Sequence, residues 1–169
     1  MTTPSQNQHR AGHISPRYLT VTFIAAATAS IAAGVSLALQ LPVWAMFIGW
    51  IAFFSRGLDT RSAFENLGCV WLGLVIGALA ATGIASLAPA MGLMIAMPAV
   101  VFVVALIVVS LRGLPPLNNL LGYFLGLVAW FAAHLEPSVA AVGQLAGASA
   151  IGSLAGWISH HLPRRMSAS

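Results

Sequence analysis

Pro42-Val43-Trp44-Ala45-Met46-Phe47-Ile48-Gly49-Trp50-Ile51-Ala52-Phe53-Phe54-Ser55-Arg56-Gly57-Leu58-Asp59-Thr60-Arg61 is the stretch on which the architecture turns. Its apolar part, Pro42 to Phe54, is shorter than the about 20 residues that a membrane-spanning helix needs. Whether it crosses a membrane decides on which side Arg56 and Arg61 lie. Working outward, five further apolar blocks run from Tyr18 to Leu39, Ala63 to Leu87, Ala90 to Leu111, Leu117 to Ala133 and Val139 to His160. If every block crosses and the N-terminus is cytoplasmic, then Arg10, Arg17, Arg56, Arg61, Arg112, Arg164 and Arg165 all lie inside. The outer connections, around Leu41, Ala88–Pro89 and Leu135–Ser138, then carry no Arg or Lys, as the positive-inside rule requires. Making the second and fifth blocks re-entrant would put Arg56 and Arg61 outside. The reading is therefore an all-α, polytopic membrane helix bundle of about six transmembrane helices. It comprises a disordered cytoplasmic tail over 1–17, a transmembrane domain over 18–161 and a cytoplasmic tail over 162–169.

Composition agrees. Of 169 residues, 59% are hydrophobic and 6% charged, against about 25% charged in a soluble domain. Too few polar side chains exist to cover a soluble surface, so the lipid bilayer is the expected partner. The net charge of +4 comes with no lysine and with arginines scattered between apolar blocks. That pattern excludes nucleic acid and fits anionic headgroups. The single Cys69 rules out an internal disulfide and reads as a small packing residue. The first apolar block is longer than a signal-peptide core and more membrane follows it, so cleavage is not expected.

Punctuation supports the blocks. Pro42 and Pro116 fit first-turn positions of the second and fifth helices, and Pro137 opens the sixth. Ser62-Ala63-Phe64-Glu65 has the spacing of a capping box. Asp59 is expected to neutralise Arg56 or Arg61. Phe47 to Phe54 matches Phe124 to Phe131 with four identities in eight positions, and Gly68, Gly73 and Gly77 match Gly147, Gly152 and Gly156. Each half holds three helices, so the halves (about 18–87 and 90–161) would be inverted repeats, an arrangement common in transporters and channels.

Small residues four apart let helix backbones approach closely. Gly68, Gly73, Gly77, Gly147, Gly152 and Gly156, with Gly143, predict that the third and sixth helices pack against each other at the centre; a homo-oligomer contact is the other use of such faces. The polar side chains near helix ends define two expected mouths of a solute path. Glu65, Asn66, Asn118 and Asn119 would form the cytoplasmic one, and His134, Glu136 and Gln144 the outer one. For each residue the bland alternative is capping, interhelical bonding or headgroup contact. His160, His161, Arg164 and Arg165 form a basic end facing headgroups, and Trp44, Trp130 and Trp157 fit interfacial positions. No Ser-His-Asp set, HExxH, P-loop or dinucleotide fingerprint occurs, and no membrane-embedded acid pair suggests a proton relay. The chain is thus expected to be no enzyme and to hold no cofactor or metal. A small-molecule solute is the ligand a permease or channel would take, and a non-transporting membrane scaffold is the alternative.

From Leu19 to Trp157 the chain resembles the YcdZ-like family of small bacterial inner-membrane proteins, domain of unknown function 1097. The resemblance is clearest over Pro42 to Trp50, the pair Phe53-Phe54, the Gly57 turn and the glycine-rich third helix. It implies a bacterial inner membrane and a multi-span helical fold. More distantly, Pro42, Trp44, Ala45, Arg56, Gly57, Gly73 and Gly77 are similar to the membrane part of fusaric-acid-resistance and aromatic-acid exporters, which implies transport of small organic molecules.

Overall fold

The computed structural model describes residues 15–166, so the expected tail over 1–17 and Arg10 lie almost wholly outside the described residues. Six α-helices follow one another: α1 (Pro16–Ala38), α2 (Val43–Ser55), α3 (Thr60–Met91), α4 (Leu93–Leu111), α5 (Leu120–Ala133) and α6 (Val139–Met166), with a 3-10 turn at Pro115–Leu117. There is no strand among the described residues. α1, α3, α4 and α6 are long and apolar enough to cross a membrane; α2 and α5 are shorter. At 1.5 Å per residue α2 and α5 span only about 20 Å.

Several boundaries differ from the sequence reading, each for a local reason. α3 does not stop at Leu87; it runs through Pro89 to Met91 and breaks at Gly92, whose φ of 77° suits a residue without a Cβ. Pro89 sits in the last turn, where its missing N–H removes one i→i−4 bond without ending the helix. Pro42 and Asn119, not first-turn prolines, are the N-caps of α2 and α5, and Pro116 belongs to the 3-10 turn. Pro137 precedes Ser138, whose hydroxyl accepts from Ala141 N–H and starts α6. α6 continues past His161 through Pro163 to Met166, so part of the expected tail is helix.

The bundle is built on two close parallel pairs, α2 with α6 and α3 with α5, with α1 flanking α6 and α4 flanking α3. The glycines make these pairs. A Cβ at Gly73 would run into the carbonyl of Tyr123, and one at Gly77 into the Trp130 side chain, both on α5. A Cβ at Gly152 would run into the carbonyl of Met46, and one at Gly156 into the Phe53 ring, both on α2. The expectation that the glycine faces of α3 and α6 meet each other is therefore wrong: each seats a short helix instead. Gly68 and Gly143 face open space, and Gly147 meets only a methyl of Leu41 at 3.8 Å. α3 and α6 touch elsewhere, where the Trp71 indole N–H donates to the Ala146 carbonyl and the Ser149 hydroxyl, both at 3.2 Å.

The centre is apolar, with Leu74, Ala129, Trp130, Leu145 and Ala148 buried together. Trp130, expected at an interface, is instead a core residue at 2% exposure. α4 turns Met94, Val101, Phe102 and Leu106 outward, an apolar surface that only lipid or another apolar partner can solvate.

Candidate functional site

Arg17, Arg56, Arg61, Arg112, Arg164 and Arg165 gather at one end of the bundle. Arg17 meets Pro163 and Met166 of α6 in a small groove, Trp157 of α6 donates to Thr60 at the start of α3, and Leu111 packs with Cys69 and Leu120. The opposite end carries no described arginine.

The polar residues of the arginine end form one connected network. α2 ends at Ser55, and Gly57 (φ 84°) and Leu58 (φ 60°) turn the chain sharply into α3. Asp59, not Ser62, is the N-cap of α3: its carboxylate accepts from the Ser62 N–H at 2.9 Å and the Ser62 hydroxyl at 2.8 Å. The Ser62 N–H first, and its hydroxyl second, hold the Asp59 carboxyl below the ordinary carboxylate range. With Asp59 engaged by Ser62, the arginines turn to Glu65. Arg56 Nη2 lies 2.9 Å from one of its oxygens, and Arg61 Nε 2.8 Å from the other. This pairing takes Glu65 away from the capping role its spacing suggested.

Beneath that ion pair lie two buried carboxamides. Asn66 Nδ2 donates to the Arg56 carbonyl at 2.8 Å. Asn119 Nδ2 donates to Asn66 Oδ1 at 2.8 Å and to Ser55 Oγ at 2.7 Å, while its Oδ1 caps α5 by accepting from Gly122 N–H. Asn66 is fully buried and Asn119 6% exposed. Groups this deep need partners, and the protein supplies them. Three of the four residues expected at a cytoplasmic mouth, Glu65, Asn66 and Asn119, thus come together, but as a closed knot joining α2, α3 and α5. Asn118 is exposed and outside it. Ser55 and the Arg56 carbonyl were missed by sequence reasoning, since no residue type marks a main-chain acceptor.

The outer set does not assemble. His134 (φ 50°, the C-cap of α5) and Glu136 are exposed, and neither side chain makes a hydrogen bond or ion pair within the described residues. Gln144 alone lines a pocket of about 140 Å³, with Pro42, Ala132, Ala133 and Leu145 among its neighbours. Its only hydrogen bond among the described residues is a long one, 3.4 Å to the Gln40 carbonyl. Larger apolar grooves, of about 430 Å³ between α3, α4 and α5 and about 440 Å³ between α3 and α6, open on the bundle's flanks. At the arginine end, His161 stacks on Trp157 at 4.7 Å and His160 packs on Phe53 at 5.9 Å, so these histidines pack on rings while Arg164 and Arg165 stay exposed. No group of three or more His, Cys, Asp or Glu that could hold a metal occurs among the described residues.

Six apolar helices, four of them paired at glycine crossings, with charged side chains confined to the regions near their ends, define a polytopic helical membrane protein. The chain belongs to the family described as protein of unknown function DUF1097, whose model matches residues 22–164. Neither a curated protein nor a solved structure matches it, and the resemblance to fusaric-acid and aromatic-acid exporters finds no such support.

Proposed function

We propose that this protein is a small-solute permease or channel of the bacterial inner membrane, with six spans, both termini cytoplasmic and two inverted three-helix repeats. The observation that carries this reading is the pairing of the helix crossings. In the registers that lay Phe47 on Phe124 and Gly68 on Gly147, the contacts of one half fall on those of the other. Gly73 against Tyr123 corresponds to Gly152 against Met46. Gly126 against Val70 corresponds to Gly49 against Ser149, and Gly77 against Trp130 to Gly156 against Phe53. The positions without a close crossing also correspond: Gly68 faces open space and Gly147 makes only an ordinary contact with Leu41. That the matched residues also match in what they touch supports the repeat. Inverted repeats place a path at the interface between halves, and gathering the described arginines at one end supports the cytoplasmic orientation.

Flux of small uncharged solutes and weak organic acids into proteoliposomes tests the reading. Uptake above empty liposomes, altered in Asn119→Leu and Gln144→Leu at equal protein level, is expected; equal flux in wild type and both variants would remove these residues from the path. A scaffold role is the second reading, favoured by the apolar plug around Leu74, Trp130 and Leu145; absence of flux for every solute tried would leave it standing.

A further inference from the structure

We propose that the Ser55–Asn119–Asn66–Arg56–Glu65 network is the closed inner gate of the path, and that the pocket beside Gln144 is its open counterpart, the site where a small uncharged, hydrogen-bonding solute first docks. The inference rests on the permease reading above and adds which end is open and what it admits.

In the registers already given, Asn119 falls on Pro42, Ser55 on Ala132, Arg56 on Ala133, Glu65 on Gln144 and Asn66 on Leu145. All five counterparts line the one pocket of about 140 Å³ at the arginine-free end. The same place in the two halves is therefore filled by bonded polar side chains at one end and is empty at the other. The chemistry explains the difference. Asn119, Asn66 and Ser55 tie α5, α3 and α2 together by hydrogen bonds of 2.7 and 2.8 Å. Pro42, Ala132, Ala133 and Leu145 have no side-chain donors or acceptors, so nothing equivalent draws their helices shut.

The knot is suited to opening. Every bond in it can be exchanged for a bond to water, so the net free-energy change of parting the helices is small compared with separating a packed apolar contact of the same size. An equilibrium of that kind can be shifted by a ligand that binds one state better.

The pocket's lining specifies its guest. It holds no charged side chain, which disfavours ions. Its volume of about 140 Å³ corresponds to about five water molecules, so a guest that sits within it is small. Gln144 can both donate and accept, and its bond to Gln40 is long, so its carboxamide is available to a solute.

Thiol accessibility tests the gate independently of transport. In the intact protein, with the buried Cys69 removed by Cys69→Ala, a thiol introduced by Ala133→Cys should react with a membrane-impermeant maleimide from the arginine-free side. One introduced by Ser55→Cys should be protected from the arginine side. Adding Glu65→Gln and Asn119→Ala should raise labelling at position 55 at least tenfold and lower it at position 133 severalfold. That reciprocal change supports the gate even if no solute flux is found. Labelling at position 133 that is absent at the start, or unchanged when the network is loosened, overturns the gate even if flux is found. Melting temperatures of each variant in detergent separate gate opening from unfolding: a rise at position 55 accompanied by loss of the folded state counts against the proposal.

Discussion

The Asn119 carboxamide donates a 2.8 Å hydrogen bond to that of Asn66, joining the N-cap of α5 to α3 across a separation of 53 residues. Both groups are buried, and each has its remaining bonds made by Ser55, the Arg56 carbonyl or the Gly122 N–H. Replacing one carboxamide strands the other's partners. Asn66→Leu should lower stability by about 1–3 kcal/mol, the range for leaving buried polar groups unpaired. Asn118→Leu, one residue from the network but exposed, should be within about 0.5 kcal/mol of wild type. Melting in detergent compares them, and equal effects would remove the network from the stability of this end.

The glycines divide by environment rather than by motif. Gly73→Ala and Gly152→Ala force a methyl into the carbonyls of Tyr123 and Met46, an overpacking worth about 1–3 kcal/mol. Gly68→Ala meets open space, and Gly147→Ala only ordinary contact, so both should be neutral or stabilising by up to about 1 kcal/mol. Folded yield and melting temperature of the four variants should therefore fall into two pairs. A common loss in all four would mean that Gly68 and Gly147 meet something else, such as a second copy of the chain.

Asp59 provides a pH signature. Its carboxyl is held low by the Ser62 N–H first and hydroxyl second. A group whose folded pKa is depressed contributes stability that is full above its unfolded value and is lost as pH falls through the folded one. Asp59→Asn keeps capping ability but cannot titrate. The difference in melting temperature between wild type and Asp59→Asn should be constant near neutral pH and should shift against wild type as pH drops through and below 3.8. A difference that stays flat through the acid range would mean that Asp59 does not titrate against this cap.

The six-span topology is read by single thiols in the Cys69→Ala background. Arg61→Cys and Arg112→Cys, both exposed at the arginine end, should label only when reagent reaches the cytoplasmic face. Glu136→Cys, exposed at the other end, should label in intact cells. Labelling of position 61 from outside would make α2 re-entrant and reverse α3.

Much of the architecture was open to reading before any coordinates. The apolar blocks fall within a few residues of α1, α2, α5 and the start of α6, because lipid demands runs of apolar side chains and backbone bonds closed within each helix. Where the boundary depended on one residue's backbone the reading failed: Pro89 attracted the break that Gly92 actually makes. Glu65, Asn66 and Asn119 were identified as a group at one end, since polar side chains are scarce here. That they close on one another, and that His134 and Glu136 do not close on Gln144, had no sequence signal, for donors and acceptors pair across distance and angle, not spacing.

By itself the sequence determined the apolar, helical class of the chain and pointed to a common end for the described arginines, because these follow from composition and from the order of apolar and charged runs. Only the tertiary structure decided which faces meet. Gly73 and Gly152 look alike along the chain and could have met each other. They meet Tyr123 and Met46 instead, because helices pack where a backbone can approach without a Cβ in the way, and that depends on where the facing helix lies. The same is true of the two ends: a bonded knot at Asn119 and an empty pocket at Pro42 differ in which groups can bond once three helices have been brought together.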